Sequence, residues 1–125
     1  MCRWPALLLV LVLVLAGCRD RDRNSRITVH LSSPQSTIYE LESTSAIAYL
    51  TTHRGAWIQS HRWYLAIAPN RDVRIVSSWS RSTEVIFWTE GTYVLAFEVI
   101  WRTRDNELRY TTEYLEIEVL PAEPA

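Results

Sequence analysis

Three histidines, two glutamates spaced i, i+2 and two cysteines are the residues of this 125-residue chain whose types could do chemistry. The histidines are His30, His53 and His61. A zinc site needs three or four converging ligands. His30 lies in an alternating segment, with Val29 and Leu31 pointing the opposite way. His53 and His61 flank a loop that carries no cysteine and no compact acidic cluster. No acid-rich loop of alternating oxygen ligands offers calcium a seat. The sequence therefore predicts no metal site. Glu116 and Glu118 would share one face of a strand, about 6.6 Å apart by strand rise. That separation falls between the ranges used by retaining and inverting glycosidases. Both are expected on an open, solvated face, where acids serve solubility. No serine stands in a Gly-x-Ser-x-Gly turn, and three glycines are too few for a phosphate-binding loop. The expectation is a chain without catalytic residues, cofactor or small-molecule ligand.

The cysteines have a different use. Arg3 precedes ten apolar residues, Ala6 to Leu15, and the small pair Ala16-Gly17 then leads directly into Cys18. Ten residues suit a signal-peptide core and are too few to span a bilayer, which needs about 20. The run Leu15-Ala16-Gly17-Cys18 resembles the lipobox of bacterial lipoproteins. The resemblance implies cleavage after residue 17 and acylation of Cys18 by chains such as palmitate. The alternatives are an uncleaved anchor or an ordinary signal peptide. Cys2 would leave with residues 1–17, so the mature domain would hold no free thiol and no disulfide. Arg19, in place of the aspartate that retains lipoproteins in the inner membrane, implies the outer membrane of a Gram-negative host. In a Gram-positive host the chain would sit on the outer face of the cytoplasmic membrane.

Residues 19–26 contain four arginines, two aspartates and no apolar side chain. With Cys18 they are expected to form a tether that reaches at most about 26–29 Å. Its arginines would either be drawn to anionic headgroups or serve as a plain solvated spacer. From Ile27 onward eight arginines face twelve acids. That balance and the location exclude nucleic acid as a partner.

Beyond the tether the apolar pattern has period two. Tyr93, Leu95, Phe97 and Val99 alternate with outward residues, and Leu115, Ile117 and Val119 alternate with Glu116 and Glu118. Breakers divide the chain into seven expected strands, at about 27–32, 45–52, 58–67, 72–78, 83–88, 92–102 and 109–119. Strands with acids on one face belong to antiparallel sheets. Seven short ones in one domain, 27–120, suggest a β-sandwich. Residues 121–125 are expected to be a disordered tail. Ser33-Pro34, Ser45 to Tyr49, Gly55 to Trp63 and Phe87 to Val94 resemble a PKD or related bacterial Ig-like domain. The resemblance implies an all-β, seven-stranded antiparallel sandwich. Trp63 would be its core tryptophan, Tyr93 its tyrosine corner, and Phe87, Leu95 and Phe97 would pack around them.

A surplus of aromatic residues remains. Trp57 falls between the second and third expected strands, Trp79 between the fourth and fifth and Trp101 at the start of the turn after the sixth, with Arg54, Arg81, Arg102 and Arg104 in the same connections. An Ig topology would gather those connections at one end, beside the start of the first strand and the tether. Tryptophan and arginine are the residues of recognition surfaces. The outer face of the last strand, with Tyr110, Thr112 and Tyr114, is a second candidate surface. The sequence thus predicts a non-enzymatic lipoprotein, held to a membrane by its N-terminal lipid and binding an envelope protein as an accessory subunit. The alternative is a carbohydrate or peptidoglycan binder, with an enzyme inhibitor third.

Overall fold

The computed structural model describes residues 25–122. The signal segment, Cys18, tether residues 19–24 and tail residues 123–125 lie outside the described residues. Eight strands follow one another: β1 (Arg26–Ser32), β2 (Thr37–Tyr39), β3 (Ser43–His53), β4 (Trp57–Ile67), β5 (Val73–Ile75), β6 (Ser82–Phe87), β7 (Gly91–Arg102) and β8 (Leu108–Leu120). They form two four-stranded sheets. The first has the order β1-β3-β6-β5 and the second β2-β8-β7-β4.

The expected count of seven strands, all antiparallel, is corrected to eight, with one parallel pair. Strand β2 pairs parallel with β8, Thr37 to Tyr39 against Glu118 to Leu120. Three residues with a single buried apolar side chain, Ile38, are too few to show an alternation. Ser33-Pro34 ends β1, and the chain then crosses from the first sheet to the second. The expected strand 72–78 shrinks to Val73–Ile75. After it, the Ser77 amide bonds the Thr83 hydroxyl and the Ser80 amide bonds the Ser77 carbonyl, which turns the chain out of the sheet. Arg26, expected in the tether, begins β1, and Ser25 is buried.

Strand β7 organises the interior. Tyr93, Leu95, Phe97, Val99 and Trp101 all face the core and are buried. Phe97 packs against Trp63 (ring centroids 4.7 Å apart) and stacks on His61 (5.4 Å). Phe87 and Tyr93 pack 4.8 Å apart. Ala46, Ala48 and Val85 from the first sheet complete this cluster. The Tyr93 hydroxyl donates to the Thr89 carbonyl at 2.6 Å and lies 3.1 Å from Asn70 Oδ1. A short hydrogen-bonded loop thereby locks the entry to β7, the geometry of a tyrosine corner. Gly91 makes that entry possible: its φ is 145°, and a Cβ there would run into the Pro69 ring. Two residues beyond the corner, where antibody domains carry a disulfide cysteine, stands Leu95. The described residues include no cysteine, so apolar burial replaces the cross-link.

The end at which β1 begins is closed by Ser25. Its hydroxyl donates to the Arg54 carbonyl at 2.8 Å and accepts from the Arg104 amide at 3.1 Å. It thus joins the β3–β4 turn to the β7–β8 turn. Tyr93→Phe is expected to lower unfolding free energy by about 1 kcal/mol, and Trp63→Ala by roughly 3–5 kcal/mol. Urea unfolding checks both. A Trp63→Ala loss no larger than that of Tyr93→Phe would contradict the placement of Trp63 at the centre of the core.

Candidate functional site

The structure divides the predicted Trp/Arg cluster into three places. At the end where β1 begins, His53 to Ala56 form a hairpin turn closed by the Ala56 amide on the His53 carbonyl. Arg54 (φ 56°) and Gly55 (φ 80°) are both left-handed, as a type I′ turn requires. Across from it, the Asn106 amide bonds the Thr103 carbonyl, and Asn106 (φ 69°) reverses the chain. Arg54, Arg102 and Arg104 gather here, and Trp57 begins β4 beside them, 47% exposed. Arg102 is held by Gln59 Oε1 (2.8 Å) and the Asn106 carbonyl (2.9 Å).

Trp101 is not part of that surface. It is 7% exposed, and its indole N–H donates to Thr111 Oγ1 at 3.0 Å. The physical reason is parity: Trp101 continues the core-facing row of β7 by one step. Trp79 and Arg81 also depart from the predicted position. The β5–β6 loop leaves β6 midway along the sandwich and bridges the two sheets. The Ser78 carbonyl accepts from the Trp63 amide on β4, and the Arg81 carbonyl accepts from the Ala48 amide on β3. Trp79 therefore stands beside the middle of β4, 67% exposed.

These placements direct attention to the outer face of the second sheet. Strand register sets its side chains in rows across β4, β7 and β8. Trp57, Arg102 and Leu108 form the first row, and Ser60, Ile100 and Tyr110 the second. Arg62, Glu98 and Thr112 form the third, and Tyr64, Ala96 and Tyr114 the fourth. Tyr110 and Tyr114 are each 62% exposed, whereas Ala96 between two tyrosines is fully covered. Arg62 meets Glu98 at 3.4 Å and lies 5.0 Å from the Tyr64 ring centroid. The centre of the face thus holds a paired charge, flanked by aromatic rows. A cleft of about 260 Å³ opens at its β4 side, lined by Ser60, His61, Arg62, Trp79, Glu98 and Ile100. The last-strand surface around Tyr110 and Tyr114 is therefore one edge of a larger face. Sequence reasoning missed its breadth because cross-strand neighbours are set by register, including the β4 bulge between Ile58 and Ser60. The even-numbered residues of β7, with Ile100 among them, were the available signal.

Glu116 and Glu118 continue this face opposite Val94 and Thr92, and both are exposed. Among the described residues, no group of three histidines, cysteines or acids could hold a metal ion. His61 sits at the rim of the cleft with Nδ1 buried and unpartnered. Burial of its ring pushes its pKa below the ordinary 6.5, the Arg81 charge lowers it further, and a backbone hydrogen bond opposes both.

No protein-family model matches the chain, and no curated protein matches it significantly. Solved structures share its fold. It superposes on the PKD domain of the KIAA 1837 protein with a TM-score of 0.50 at 16% identity, covering 76% of this chain and 89% of that one. It also matches murine CRIg with a TM-score of 0.49 at 13% identity, covering 74% of this chain and 98% of that one. With the two sheets and the PKD-domain match, the fold is a PKD-like, immunoglobulin-like β-sandwich.

Because the folded state holds His61 less basic than the unfolded chain does, unfolding takes up a proton as pH falls below about 6.5. The His61 contribution is complete above that pH and is lost as pH drops toward the folded-state pKa. The urea midpoint is expected to fall across this window, and less steeply in His61→Gln. Identical pH profiles for the two proteins would contradict the assignment.

Proposed function

We propose that this chain is a non-catalytic, lipid-anchored module of a bacterial cell envelope that binds a protein partner through the outer face of its second sheet. It would serve a larger assembly as an accessory subunit. The observation that carries the reading is the difference between the two outer faces. The first sheet presents Thr28, His30, Ser45, Thr51 and Glu84 with the half-buried Ile47 and Ile86, and Tyr49, the one tyrosine of its strands, is stacked on His30. The second presents Trp57, Tyr64, Ile100, Tyr110 and Tyr114, with Trp79 at its border. Aromatic anchors around a paired charge are the composition of a protein-binding surface. Large exposed apolar patches on a domain mark interaction sites. The lipobox-like run ending at Cys18 supports the anchor.

The same face extends to a sheet edge. Strand β2 covers only the last three residues of β8, so among the described residues the edge from Leu108 to Ile117 has no hydrogen-bonded strand on that side, although β1 of the other sheet approaches β8. A partner segment could add a strand there while its side chains reach the tyrosines. A second reading, binding of a glycan such as peptidoglycan, is favoured by one feature. Tyr64 and Tyr114 cover Ala96 between them, and a sugar ring could stack on the exposed Tyr114 ring.

The test is co-purification from detergent-solubilised envelope. Tyr110→Ala/Tyr114→Ala should lose a stoichiometric protein partner that the unaltered chain retains. Its unfolding free energy should change by no more than about 0.5 kcal/mol, as for other exposed substitutions. Equal recovery of the partner by both proteins would overturn the assignment of the face. Retention of the unaltered protein alone on insoluble peptidoglycan, with no protein partner, would favour the glycan reading.

A further inference from the structure

The sandwich is electrically polarised along its strands. At the end where β1 begins stand five arginines, at 26, 54, 102, 104 and 109, against two acids, Asp105 and Glu107. The rest of the described chain carries four arginines against nine acids. The opposite end concentrates the acids: Glu40 and Glu42 beyond β2, Asp72 before β5 and Glu90 before β7, against Arg71 in the β4–β5 turn. There Glu40 accepts the amides of Glu90 and Ala122 at 2.9 Å, and Asp72 accepts the Thr89 hydroxyl at 2.8 Å.

The N-terminal chain leaves from the basic end, and its exit is fixed. Ser25 is 6% exposed and is bonded to both turns of that end. Arg104 lies across the β3–β4 turn so closely that a Cβ on Gly55 would stand 2.7 Å from its Nε. Arg54 and Arg104 are thereby held side by side on two joined turns, both exposed and with no carboxylate partner among the described residues. Six residues lie between Cys18 and Ser25, seven steps along the chain. They can span at most about 25 Å. Arg19, Arg21 and Arg23 lie in that interval.

We infer that the basic end, through Arg26, Arg54 and Arg104 with Trp57 at its rim, seats the domain upright on an anionic phospholipid bilayer. The inference rests on the lipid-anchored reading. A short anchor leaving beside exposed guanidiniums lets them come within about one Debye length of headgroup phosphates, the range over which the attraction acts. Each arginine near such a surface favours contact roughly fivefold. Trp57 supplies the amphipathic ring that prefers headgroup depth. The acidic end is repelled by the same field and points away. Seated in this way, the aromatic face stands upright beside the membrane and is open to a partner approaching parallel to it.

The experiment uses the full lipidated chain in phosphatidylcholine vesicles with or without phosphatidylglycerol. A fluorophore is placed at Asp105→Cys in the basic end or at Glu90→Cys in the acidic end, roughly 36 Å away by strand rise. Energy transfer to a headgroup-labelled lipid reads which end is near. On phosphatidylglycerol vesicles the Asp105 site should transfer strongly and the Glu90 site weakly. Arg54→Glu/Arg104→Glu should lower the ratio of seated to detached domain by at least about twenty-five-fold, and about 1 M salt should do likewise. Equal transfer from the two sites, or transfer from Asp105 that neither reversal nor salt changes, overturns the seating. Flotation with the vesicles and the mass of the acylated N-terminus report the anchor separately. A chain that floats with randomly oriented ends refutes the seating alone, and one that fails to float refutes the anchor and the seating together.

Discussion

The rest of the structure depends on the two-sidedness of β7. One strand at the middle of the second sheet sends Tyr93, Leu95, Phe97, Val99 and Trp101 inward and Val94, Ala96, Glu98, Ile100 and Arg102 outward. The inward row carries the packing with Trp63, Phe87 and His61 that holds two sheets together without a cross-link. The outward row is the floor on which the tyrosines and Trp57 stand. A one-residue slip in this strand would exchange the two sets and destroy core and surface together. Tyrosine-corner geometry at Tyr93 and the Gly91–Pro69 contact fix the register where the strand begins.

A second organising feature runs along the strands. Ser25 ties the point where the chain enters to both turns of the basic end, so the polarity of the charge distribution and the position of the N-terminal segment are coupled. The β5–β6 loop couples the sheets midway, bonding β3 on one side and β4 on the other. It also caps part of the β4 edge, while β2 caps only the end of β8. The long edge of β8 therefore borders the aromatic face, and the exposed charges Glu113 and Arg109, in register with Phe97 and Trp101, discourage indiscriminate pairing.

Much of this was legible in the sequence where local pattern decides the outcome. Alternation placed Tyr93, Leu95, Phe97 and Val99 inside, the resemblance to PKD-like domains added Trp63 and Phe87, and breakers located most strand ends within two residues. Strand β2 was illegible because its three residues take their conformation from β8. Trp101, expected at the start of a turn, lies on the core parity of β7, two residues on from Val99. Trp79 was read as part of an end cluster because loop position was inferred from connectivity, whereas two backbone hydrogen bonds hold that loop at mid-height. The aromatic face escaped recognition for a related reason. Its members come from three strands whose alignment depends on a bulge in β4, and no local pattern reports it.

The account stands on the claim that the outer face of the second sheet is the one that meets a partner. Photocrosslinking in native membranes tests it most directly, with p-benzoylphenylalanine in place of Tyr114 on that face or of Tyr49 on the outer face of the first sheet. Both positions are exposed tyrosines, so the replacement is equally mild. The account predicts a single discrete adduct from position 114 and none from position 49. A discrete adduct from position 49 with none from position 114 would contradict it.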